Sequence, residues 1–197
     1  MKILCIADDE CKALYDNYVP ESVRDVELII SCGDLSADYL DYIQTMSGIP
    51  LLYVPGNHDR YYLQEPNRCT CIDDDIFVFN GIRIAGLGGS IEYRPSVYMF
   101  TEEEMEKRAN ALSEKVCANG GIDILVTHAP VRGYGDKNDL PHQGFQCFDS
   151  FLAKHKPKYM LHGHVHGGYQ DGFSRELPHS CGTTIINCFE RYMLDYN

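Results

Sequence analysis

The sequence predicts an α/β protein with a largely parallel sheet, on three observations. Short β-rich runs alternate with helical patterns along the chain. Most of these runs are apolar almost throughout, as strands buried on both faces are. The residues able to bind ions or catalyse gather in the turns after them, where α/β sheets build their sites.

Taken in order, the first strand is KILCIA (2–7), which ends in three acids, Asp8, Asp9 and Glu10. A helical pattern is expected over 11–18, and VELIIS (26–31) is the second strand. Ser36 is placed to N-cap a helix over 37–46. PLLYVP (50–55) follows as a strand. DIFVFN (75–80) and IRIAGL (82–87) meet at Asn80-Gly81, a dipeptide that favours a tight hairpin. In TEEEMEKRANALSEKVCANGG, Thr101 and Glu104 form a capping box, acids fill the first turn, and Gly120 and Gly121 supply the stop. IDILVTH (122–128), a helix over 145–155, KYMLHG (158–163) and TTIINC (183–188) complete the alternation. The hairpin and the strands after residue 168 predict mixed or antiparallel additions. No repeat or linker interrupts the pattern, so one domain over 1–197 is expected.

Composition narrows the function. A hydrophobic fraction of 44% with 23% charged residues is that of an ordinary globular chain. The net charge of −12, with no Lys/Arg-rich run, argues against long nucleic acid, whose phosphates need neutralising. A small phosphorylated substrate remains compatible if a bound metal reverses the local field. No segment approaches the roughly 20 apolar residues that span a bilayer, and the N-terminal apolar run is too short for a secretory signal. A cytoplasmic protein without membrane partners is expected. Nine cysteines without CxxC spacing then read as reduced thiols, with Cys69 and Cys71 structural.

Five strand ends carry ligand-type residues: Asp8 to Glu10, Asp34 in "CGD", Asn57, His58 and Asp59 in "GNHD", His128 in "THAP", and His164 and His166 in "GHVH". Each has a plain structural reading. An Asp after a strand caps helices and turns, and a lone His can be a satisfied core residue. Five together on the site-building side of the sheet point instead to metal binding by mixed oxygen and nitrogen donors.

In that order, these motifs resemble the calcineurin-like metallophosphoesterase superfamily, over residues 7–166. The resemblance implies a four-layer α/β/β/α sandwich of two mixed sheets flanked by helices. It implies one metal held by Asp8, the residue at position 10, Asp34 and His166, and a second held by Asp34, Asn57, His128 and His164. A hydroxide bridging the pair would attack the phosphoryl group. His58 would not ligate but would protonate the leaving alkoxide or stabilise charge. Asp59 is grouped with it as a candidate orienting partner, although turn capping is the simpler role. Arg60, Arg94 and His142 are candidate substrate contacts in loops, and Tyr93 lies among them.

One position departs from the family pattern. Glu10 stands where the family's first motif has His. A Glu there would add negative charge to the centre, which favours Mn or Fe, accommodates Zn, and tilts the substrate towards phosphodiesters over phosphomonoesters. The function expected is dinuclear metal-dependent phosphoester hydrolysis. The alternative is a non-catalytic metal-binding scaffold on the same fold. Oligomeric state is not legible in the sequence.

Overall fold

The computed structural model describes residues 1–15, 20–59, 65–167 and 173–197. Its strands are β1 (Lys2–Ala7), β2 (Val26–Ser31), β3 (Leu51–Tyr53), β4 (Thr70–Cys71), β5 (Ile76–Phe79), β6 (Ile82–Leu87), β7 (Ser90–Ile91), β8 (Met99–Phe100), β9 (Ile124–Thr127), β10 (Tyr159–His162), β11 (Glu176–Pro178), β12 (Thr184–Asn187) and β13 (Glu190–Asp195). Its helices are α1 (Ala37–Ser47), α2 (Glu102–Ala118) and α3 (Cys147–His155).

The strands form two mixed sheets and a short β7-β8 ribbon. In the first sheet, ordered β13-β1-β2-β3-β4, only β13 runs antiparallel to its neighbour. The second, ordered β11-β12-β10-β9-β6-β5, has a parallel centre with antiparallel edges β11 and β5.

Period-two alternation sorts the apolar residues into layers. Leu4 and Ile6 of β1 face Tyr39, Leu40 and Ile43 of α1. Ile3, Cys5 and Ala7 point the other way and meet Ile124, Val126, Leu161 and Ile186 of the second sheet. That sheet's far face, with Leu125, Met160 and Ile185, is covered by Met105, Leu112 and Val116 of α2 and by Phe148 and Leu152 of α3. The result is the expected α/β/β/α sandwich.

Local signals act as read. The Ser36 hydroxyl accepts the Tyr39 N–H at 3.3 Å, and both halves of the Thr101–Glu104 capping box are formed. Asn80 and Gly81 turn the β5-β6 hairpin with φ of 48° and 83°, the left-handed pair that such a turn needs. The helix expected over 11–18 is corrected over its described part: residues 12–15 form turns, with the Leu14 and Tyr15 N–H groups donating to the Cys11 and Lys12 carbonyls. The Cys11 N–H donates to the Tyr39 hydroxyl at 2.9 Å. Residues 16–18 of that stretch lie outside the described residues. Among the described residues, no helix is long and apolar enough to cross a membrane.

Arg108 fastens α2 to the second sheet. Its guanidinium reaches Asp73 at 2.7 Å, Asp74 at 3.0 Å and the Gly88 carbonyl at 2.9 Å, and lies 4.3 Å from the Phe100 ring centroid. Asp73 is largely buried beneath it, and burial raises its carboxyl even against that cation. Arg108→Ala strands a buried acid, so a loss of about 2–3 kcal/mol is expected in urea melts. Lys107→Ala, which breaks only an exposed pair with Glu103, is expected to leave the melt unchanged.

Candidate metal centre

Four strand ends from both sheets line one cleft of about 270 Å³, and a fifth brings His128, fully buried, against Asp34 of its wall. Asp8 follows β1, Asp34 follows β2, Asn57 and His58 follow β3, His128 follows β9, and His164 and His166 follow β10. Asp8, Asp34 and His164 all hold left-handed backbone, with φ of 67°, 58° and 67°. That conformation is uncommon for residues with a side chain, tolerated best by Asp and Asn, and concentrated at functional sites.

The turns interlock around these residues. The Asp8 N–H donates to the Gly33 carbonyl at 3.1 Å, and the His164 N–H donates to the Asp8 carboxylate at 2.9 Å. The His58 N–H reaches Asp34 Oδ1 at 2.7 Å. Gly56 allows this closeness, since a Cβ there would lie 2.1 Å from Asp34 Oδ1. Asp59 is buried and its Oδ2 accepts both the Asp34 N–H, at 2.8 Å, and the Gly56 N–H, at 2.7 Å. It therefore ties the Asp34 turn to the Asn57 turn.

The donor chemistry is that of a cation site. His128 Nδ1 lies 2.8 Å from the Cys32 carbonyl, an acceptor only, so Nδ1 carries the ring proton. In the neutral ring Nε2 is then a lone pair aimed at Asn57 Oδ1, 2.9 Å away, and Asp34 Oδ2, 3.3 Å away. The Asn57 amide nitrogen points to the Tyr93 hydroxyl at 3.5 Å, which sets that orientation. Three electron-rich atoms thus face one another and need either a proton or a metal between them. His164 has the same arrangement: Nε2 donates to the Pro141 carbonyl at 2.6 Å, leaving Nδ1 free to ligate. Asp34, His128 and His164 each bring a donor atom within 4.8 Å of the others. The residues fit a bound cation.

The titration tendencies agree. Burial pushes His128 down, but the Asp34 charge and hydrogen bond outweigh it and hold the ring at about 9, so positive charge is favoured at this point. Burial would raise Asp34, yet His128 and the N–H of His58 bring it down to about 2. Burial raises Asp8 to about 7, and burial with the His128 charge drives His164 down to about 3. Asp59, buried and beside Asp34, rises to about 6.

The other expected residues divide. His58 is exposed at the rim, with Nε2 4.0 Å from Asp34 Oδ2. His166 stacks on Phe189, with Nε2 4.0 Å from Asp8 Oδ1. Tyr93 and His142 line the cleft, and His142 is paired with Asp139. Arg94 is exposed and sits 5.3 Å from the Tyr93 ring centroid, without lining the cleft. Arg60 lies outside the described residues. Glu10 is not brought in: its carboxylate accepts the Ser36 hydroxyl at 2.5 Å and lines a separate surface depression with Lys12 and Arg191. Sequence reasoning missed the Pro141 carbonyl, whose only signal was its place beside His142.

The family model described as calcineurin-like phosphoesterase matches residues 5–168. The UPF0046 protein T07D4.2 of Caenorhabditis elegans is 34% identical over 73 residues, covering 34% of this chain but only 16% of that protein. One crystal structure superposes with a TM-score of 0.72 at 14% identity, covering 98% of this chain and 94% of its own. That of TT1561 of Thermus thermophilus gives 0.65 at 16% identity, covering 96% and 89%. At such identities these two structures speak for the fold alone.

A positioning role for Asp59 makes a specific demand on the metal-free protein. Asp59→Ala leaves two backbone N–H groups without their acceptor, so a loss of about 2–4 kcal/mol is expected in denaturant melts without added cation. An orienting role for His58 alone would leave that stability unchanged.

Proposed function

The chain belongs to the calcineurin-like phosphoesterase family, and from that premise we propose that it hydrolyses a small phosphoester with two bound transition-metal ions. The observation that carries this reading is the facing of lone pairs from Asp34, Asn57 and His128, which a cation resolves. Asp34, Asn57, His128 and His164 would hold one ion, and Asp8, Asp34 and His166 the other. Mn and Fe suit this oxygen and nitrogen set, and Zn is accommodated. When bound, such ions supply positive charge to phosphoryl oxygens and acidify water at neutral pH.

The chain's own groups do the rest. Asn57 and the two imidazoles keep their ligating atoms aimed because the Tyr93 hydroxyl and the carbonyls of Cys32 and Pro141 occupy their other ends. His58 stands at the rim with its ring free to donate a proton to a departing alkoxide. Tyr93 and His142 wall the cleft, whose volume suits a phosphate with small substituents. The −12 net charge disfavours long nucleic acid as substrate, and a cytoplasmic setting is consistent with nine free thiols.

Glu10, expected beside Asp8 and His166, holds the Ser36 hydroxyl at the N-cap of α1 through its Oε1 and lines no part of the cleft. With that carboxylate elsewhere, its charge gives no reason to favour diesters over monoesters. Turnover of bis-p-nitrophenyl phosphate and p-nitrophenyl phosphate by Mn-loaded protein is expected for at least one, and failure of both overturns the enzyme reading. His58→Ala is expected to lower kcat by about 10²–10⁴-fold. Glu10→Gln is expected to leave metal content unchanged by elemental analysis, whereas loss of one ion would return Glu10 to the ligand set.

A further inference from the structure

The turn between β11 and β12 holds a second group of ionisable side chains, outside the metal cleft. His179 is buried there, with Nε2 2.8 Å from Asp149 Oδ1 on α3. A carboxylate only accepts, so Nε2 carries the ring proton and Nδ1 is left as a lone pair. That lone pair receives the Cys181 backbone N–H at 3.3 Å and faces the Cys181 sulfur at 3.0 Å. The Tyr134 ring packs on His179 at a centroid distance of 4.8 Å. Thr183 Oγ1 is 3.3 Å from the sulfur, but its hydrogen goes to the Pro157 carbonyl at 2.6 Å, so it offers the thiol only an acceptor. Thiol, imidazole and carboxylate stand in the order that activates a nucleophile: the base touches the thiol and the acid fixes the base's tautomer.

The remaining cysteines lack this arrangement. Cys5, Cys11, Cys32 and Cys188 are buried. Cys69 is raised to about 12 by burial and then by Asp41, and Cys147 is pushed up by burial and then by Glu102. Cys71 and Cys117 are exposed. Cys181 is both reachable and paired with a base, whose affinity for a proton is raised against burial by Asp149 and by Cys181 itself.

We propose that Cys181 is an activated thiol and a modification site for small oxidants of the peroxide class, served by His179 as base and Asp149 as its orienting partner. His179 Nδ1 takes the thiol proton. The sulfur then bonds to one peroxide oxygen while the O–O bond breaks, and the departing hydroxide recovers the proton from the imidazolium and leaves as water. Sulfur is oxidised by two electrons to a sulfenic acid, and the peroxide is reduced. The groups facing this pair are Asp149 from α3, Tyr134 from the loop after β9, Thr183 from the segment leading into β12, and the Pro157 carbonyl preceding β10.

The test is limited oxidation of the full chain by hydrogen peroxide across a pH series, with sulfenic acid trapped by a dimedone-type probe and each cysteine quantified by peptide mass spectrometry. Near about pH 7, Cys181 is expected to react at least about tenfold faster than Cys71 and Cys117. His179→Gln should slow Cys181 by about tenfold or more and shift its pH midpoint upward, with Cys71 and Cys117 unaffected. Asp149→Asn, at an exposed carboxylate, should slow it as well, and it decides the matter if His179→Gln does not fold. Oxidation of Cys181 no faster than of the two exposed thiols, or at a rate and pH midpoint indifferent to both substitutions, overturns the proposal.

Discussion

Electron-rich atoms crowd together where the two sheets meet, and they would repel one another apart if nothing held them from behind. Asp8, Asp34 and Asn57 come from one sheet, and His128, His164 and His166 from the other. The distance between the two sets is fixed by the inter-sheet core, in which Ile3, Cys5, Leu28, Ile30 and Cys32 pack against Ile124, Val126, Leu161 and Ile186. Close-packed apolar layers resist sliding, because every displacement opens a void or a clash. The core thus opposes the electrostatic cost of the site, and a cation between the sheets removes the reason for it.

Much of this was readable in the chain because the causes are local. A strand ending in an acid or imidazole, a Thr-x-x-Glu box and an Asn-Gly turn each act within a few residues, and each is found where it was expected. The layering followed from alternation in runs such as KILCIA, whose odd and even residues serve different interfaces. Where the reading fell short, the deciding partner was distant in sequence. At residues 12–15 the helical pattern gives turns, and the neighbouring Cys11 N–H meets the Tyr39 hydroxyl 28 positions away. Ser36 takes the Glu10 carboxylate across 26 positions, so a residue aligned with a ligand serves a helix cap instead.

Asp59 shows the local and the distant cause side by side. Turn capping was the simpler of its two expected roles, and its carboxylate does hold the Gly56 N–H three residues back. The same oxygen also reaches 25 positions to the Asp34 N–H, which no local signal announced. The contrast is in what else each acid faces: Asp8 and Asp34 hold backbone amides and also line the cleft, whereas Asp59 holds amides without lining it. Sequence gives all three the same letter, and only their surroundings tell them apart. The Asp149–His179–Cys181 arrangement lay beyond sequence reading for the same reason, since α3 and the β11–β12 turn are 30 positions apart.

The left-handed backbone at Asp8 and Asp34 has a consequence for how this protein can change over generations. Asn tolerates that conformation nearly as well as Asp, whereas most other residues strain it. Drift at these two positions is therefore channelled towards an amide of the same shape, which preserves the turn while deleting the charge. A descendant following that path would keep the cleft and lose its hold on cations, a silent conversion that no change in overall architecture would betray. In this fold the chemistry is easier to shed than the shape.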